Sequence, residues 1–113
     1  MAKKNPQRGE VMIEGPEGKE YRLCLTLGAI AQIEDELGVE SLTLIDEVMK
    51  KARMKDVITI FIALLNGGGE DVDRKDMMRW EVPLLTLMEK IRETFAAAGF
   101  KDDAEDEEPT SGN

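Results

Sequence analysis

Nine consecutive residues, Val57-Ile58-Thr59-Ile60-Phe61-Ile62-Ala63-Leu64-Leu65, are apolar on every side except at Thr59. A segment without a polar stripe has to be enclosed by other elements, so this run places itself at the centre of the fold. It is far shorter than the roughly 20 residues that a membrane-spanning helix needs. Its β-branched content keeps a central strand as the competing reading. Ala63-Leu64-Leu65-Asn66 running into Gly67-Gly68-Gly69 favours a helix with its stop, starting at Asp56.

The flanking sequence supplies the covering elements. Val11 and Ile13, then Tyr21, Leu23 and Leu25, alternate with Met12, Arg22 and Cys24, and Gly15-Pro16-Glu17-Gly18 between the two runs is a turn sequence. This predicts a β-hairpin over residues 9–25. An isolated hairpin is marginal in water, so its apolar face is expected to rest as a lid on the helices that follow. Thr26 is placed to cap a first helix with Leu27, Ile30, Ile33 and Leu37 inward and Gly38 at its C-terminal stop. Ser41 is placed to cap a second, ending near Arg53, with Leu42, Ile45, Val48, Met49 and Ala52 as its inner stripe. Beyond the glycines, Asp73 caps a short helical turn through Met77, Met78 and Trp80. Val82 and Pro83 open a last helix whose buried face is Leu84, Leu87, Met88, Ile91 and Phe95, and Gly99 ends it.

The fold class that follows is mainly α (α+β): an N-terminal hairpin packed on a bundle of four to five short helices spanning residues 27–98. A length of 113 residues fits one folded domain, here residues 9–100, with a flexible N-terminus over 1–8. From Lys101 onward six acids and one lysine occur with almost nothing apolar, so residues 101–113 are expected to form a disordered acidic tail. That tail carries −5 of the net −9, which leaves −4 for the body. Such a balance repels a phosphate backbone and argues against nucleic acid as a partner. Cys24 is the single cysteine, so no intramolecular disulfide is available and a reducing cytosol is expected. Met1-Ala2-Lys3-Lys4-Asn5-Pro6 runs into polar residues rather than an apolar core, unlike a secretory signal, and no membrane association is expected.

The residues that usually carry chemistry are sparse. The chain has no histidine and one cysteine, which removes the commonest general base and any thiolate cluster, so no enzyme activity, metal or cofactor is expected. The acids Glu34-Asp35-Glu36 read as a solvent face rather than a catalytic pair. Gly67-Gly68-Gly69 lacks the Gly-Lys-Ser/Thr ending of a phosphate loop and reads as a helix stop with a flexible link. Asp71-Val72-Asp73-Arg74-Lys75-Asp76 starts with calcium-loop spacing. Lys75 and Asp76 break the pattern, however, and Val82 stands at its twelfth position. Lys50, Lys51, Arg53 and Lys55 form a basic cluster that complements a helix end. Met77-Met78 with Trp80, extended by Met88, is the candidate partner-binding patch, because consecutive methionines on a short helix cannot both face inward.

Several of these stretches also carry a resemblance. Asn5-Pro6-Gln7-Arg8-Gly9-Glu10-Val11, then Leu23-Cys24-Leu25-Thr26-Leu27-Gly28-Ala29-Ile30, Ile33-Glu34, Gly38 and Leu64-Leu65-Asn66-Gly67-Gly68-Gly69 recur in an order and spacing that resemble the gene transfer agent tail protein family classed with phage tail assembly chaperones. The likeness spans about residues 5 to 98, and the acidic tail departs from it. It implies a non-enzymatic protein of the bacterial host cytoplasm, encoded between tail tube and tape measure genes. Such a protein keeps the tape measure protein soluble while the tube polymerises. The tape measure protein is the implied partner, the tail tube protein a second candidate, and self-association stays open. Two other readings stay open beside it. One is a head–tail connector or tail-completion component of the virion. The other is an acidic regulatory or DNA-mimicking protein, ranked last because the densest acid lies in the tail.

Overall fold

A computed structural model describes residues 9–38, 50 and 53–99. The chain begins with strand β1 (Glu10–Glu14), turns through Gly15 and Pro16–Gly18, and returns as β2 (Glu20–Cys24) in an antiparallel hairpin. Helix α1 (Leu27–Leu37) follows, then α2 (Met54–Gly67), the short α3 (Arg74–Met77) and α4 (Leu84–Ala97). The hairpin-on-helices architecture expected from the sequence is therefore present. The expected helix from Ser41 to near Arg53, the N-terminus over 1–8 and the acidic tail concern residues outside most of those described.

The central run is a helix. Every residue from Val57 to Leu65 is buried, and β2, α1, α3 and α4 all pack against it, which accounts for the missing polar stripe. Its one hydroxyl is satisfied: Thr59 Oγ1 donates to the Lys55 carbonyl at 2.9 Å and accepts from the Arg74 guanidinium. The helix starts at Met54, two residues before Asp56, which falls in its first turn. The hairpin lies on this core through Ile13, Leu23 and the following Leu25, while Met12, Arg22 and Cys24 are half-buried on the other face. α4 completes the core with Leu87, Ile91 and Phe95.

Local signals set most of the boundaries. Thr26 Oγ1 accepts from the Ala29 amide at 3.1 Å, and Asp73 Oδ1 from the Asp76 amide at 2.8 Å, so both expected N-caps are made. Pro83 is the residue before α4 rather than its first helical residue. Two expected core positions are exposed. Leu27 is 85% exposed because the buried face of α1 runs through Ala29 and Ile33, and Leu27 lies about 120° round the helix from Ile33. Leu84 is 46% exposed: helical side chains lean toward the N-terminus, so the first residue of α4 projects past the packed part of the helix.

The end of α2 is the joint of the structure. The Gly69 amide bonds to the Asn66 carbonyl at 3.0 Å and the Glu70 amide to the Leu65 carbonyl at 2.9 Å. Gly69 has φ +86°, so these bonds close a Schellman motif. Gly67 and Gly68 have a different task. A Cβ at Gly67 would overlap the Cys24 carbonyl oxygen and lie 3.2 Å from its carbon. At Gly68 it would overlap the Arg22 carbonyl oxygen and lie 2.7 Å from its carbon. Glu70 then accepts from the Arg22 amide at 2.9 Å. The triple glycine is thus a close backbone contact between α2 and β2, where the sequence suggested only a stop and a flexible link.

Candidate functional site

The residues around the expected methionine patch divide between core and surface. Met77, the last residue of α3, is buried, and Met78 beside it is 63% exposed. Trp80 is half-buried. Its ring stands 4.7 Å from that of Tyr21, tilted by 51°, and meets Phe61 edge-on at 5.9 Å and 80°. Such tilted and edge contacts suit the ring quadrupoles, so Trp80 joins the hairpin to α2. Met88 on α4 is half-buried against the core. Of the four candidate residues, Met78 therefore offers the most side chain to a partner.

Sequence reasoning missed two neighbours. Leu85 is 75% and Leu84 46% exposed at the start of α4. The apolar pattern of that helix placed Leu84 inside and did not single out Leu85, because nothing in the pattern told where the helix outruns its cover. Next to them lies an open groove of about 490 Å3, lined by Met12, Ile13, Glu14 and Gly15 on one side and Glu81, Val82, Pro83, Thr86 and Lys90 on the other. Lys90 pairs with Glu93 at 3.7 Å. Strand β1 forms one wall, and the approach to α4 forms the other.

Other features offer less. A hollow of about 420 Å3 collects Glu36, Leu37, Arg53, Lys55, Asp56, Thr59 and Arg74. Within it Arg53 faces Asp56 at 3.7 Å. Among the described residues no three His, Cys, Asp or Glu side chains gather as a metal site, and no helix is long and apolar enough to cross a membrane. Burial, and after it the Glu10 carboxylate paired across the hairpin, push the Cys24 thiol above its ordinary range. The thiolate is the reactive form, so iodoacetamide near pH 8 is expected to label the folded chain about tenfold more slowly than the denatured chain. Equal rates would mean that the hairpin does not shield it.

Comparison with known proteins agrees with a tail origin. Residues 8–100 match the family described as phage tail tube protein, GTA-gp10. No curated protein and no solved structure gives a significant match. The family match takes in the hairpin, the glycine joint and all four helices α1 to α4, and the chain belongs to this phage and gene transfer agent tail family.

Proposed function

We propose that the chain is a non-enzymatic assembly chaperone that binds the tape measure protein, and in second place the tail tube protein, during tail morphogenesis in the host cytoplasm. Membership of a tail family implies protein–protein contacts in tail assembly. The observation that carries the finer reading is the exposure, on so small a body, of Met78 and of Leu84 and Leu85, the last two lying between the groove-lining Pro83 and Thr86. A flexible thioether and two unpacked leucines suit transient contact with the varied apolar surface of an unassembled client. Met77 lies in the core, and Trp80 and Met88 pack half-buried against it.

The family's description as a tail tube protein favours a second reading, in which the chain is built into the tube. The two differ in persistence. Quantitative mass spectrometry of purified particles is expected to find far less than one copy of this chain per tail. Many copies per tail would establish the tube reading and overturn the chaperone one.

A further inference from the structure

The register of the hairpin decides which backbone groups of β1 face away from β2. Gly15 donates to the Lys19 carbonyl at 2.7 Å, so hydrogen-bonded pairs alternate from there through Ile13–Tyr21 and Val11–Leu23. Met12–Arg22 and Glu14–Glu20 are then the non-bonded pairs, whose amides and carbonyls point outward. The Arg22 amide confirms this parity, since it leaves the hairpin to reach Glu70. The outer edge of β2 is thus closed by Glu70 and the glycine joint. The outer edge of β1 carries the corresponding groups of Met12 and Glu14, without a hydrogen-bond partner among the described residues, and it borders the groove.

From this geometry we propose that the outer edge of β1 is a strand-addition site for an extended segment with basic residues at alternate positions and aliphatic residues between them. Main-chain pairing to an open edge supplies affinity, and alternate side chains supply selectivity. On the outer face of the hairpin an added strand meets Glu14, with Glu20 paired opposite it, and beyond Met12 it meets Glu10, whose carboxylate lies 3.6 Å from the Arg22 guanidinium; three glutamates against one arginine leave that face acidic. On the inner face it meets Ile13, Val82 and Pro83 in the groove. A second copy of this chain is a poorer match: two-fold pairing centred on Glu10, Met12 or Glu14 sets glutamates opposite one another, and pairing centred on Val11 or Ile13 sets a glutamate only against Met12. The glutamates therefore favour a basic strand over a second copy. This deepens the chaperone reading and rests on it for the segment's origin in a tail protein.

The probe is an eleven-residue peptide alternating lysine and valine, added to the full chain while amide exchange is followed by NMR. The Met12 and Glu14 amides are expected to exchange about tenfold more slowly with it. The glutamate–valine counterpart should give no protection. Met12→Pro should abolish the effect while leaving the melting temperature within a few degrees, because that amide makes no bond to β2. Should Met12→Pro fail to fold, a lysine–valine peptide N-methylated at every residue removes, on the wild-type chain, the donors that pair with the outward carbonyls of Met12 and Glu14, and persisting protection would overturn the proposal. So would protection by either charge type, no protection at all, or protection that grows with protein concentration without peptide. Peptide protection together with no effect on the tape measure protein would retain the edge and remove the chaperone role; the converse would do the opposite.

Discussion

Gly67→Ala is expected to destabilise the fold by about 3 kcal/mol and lower the melting temperature by roughly 15 °C, read by thermal and urea unfolding. Helix propensity alone predicts the reverse sign, since alanine in place of glycine within a helix stabilises by about 1 kcal/mol. The reversal comes from β2: the new Cβ would sit against the Cys24 carbonyl, with Thr26 Oγ1 at 3.1 Å. Backbone cannot rotate away as a side-chain tip can, so either α2 or the hairpin must move, and the Glu70–Arg22 bond moves with it. Gly69→Ala is the control. Nothing lies within 4 Å of its Cβ, and its positive φ alone should cost about 1 kcal/mol. A stabilised Gly67→Ala would refute the close contact between α2 and β2.

Phe61→Ala should cost about 4 kcal/mol, and Phe61→Leu about 1 kcal/mol. Phe61 is fully buried in α2 and meets Trp80 edge-on, and Trp80 in turn packs at a tilt against Tyr21 of the hairpin. Removing the ring leaves a cavity where the three elements meet. Against a typical domain stability of about 5–15 kcal/mol, that is roughly a quarter or more of the whole. Trp80 is the single tryptophan, so its fluorescence reports directly on the damaged region. Leu85→Ala, at an exposed position, should change stability by less than about 0.5 kcal/mol, which makes it a clean probe of binding. Equal effects at Phe61 and Leu85 would contradict the division between core and surface.

These contrasts show what a sequence pattern carries. Thr26 and Asp73 were legible as caps because a cap is a contact between residues three apart. The central run was legible as buried but ambiguous in type, and its flanks decided for helix because Asn66 and the glycines form a stop. The close approach of Gly67 and Gly68 to β2 was not legible, because it depends on residues more than forty positions away that no local pattern connects. Leu27 and Leu84 followed the periodic stripe but fell at helix starts, where cover depends on tertiary placement. The binding patch was legible only in outline: the methionine pair had to split, and which member faced outward was fixed by the packing of Met77 under α2. The open edge of β1 depends on hairpin register, which the turn bond from Gly15 to Lys19 sets.

The central claim, that this member of a phage tail family acts by binding an unassembled tail protein, is tested most directly by co-expressing the chain with its cognate tape measure protein and measuring the soluble, co-purifying fraction. A marked rise in soluble tape measure protein is expected with the wild-type chain, and loss of that rise when Met78 and Leu85 are both changed to aspartate on a chain that still melts cooperatively. No co-purification and no gain in solubility with the wild-type chain would contradict it.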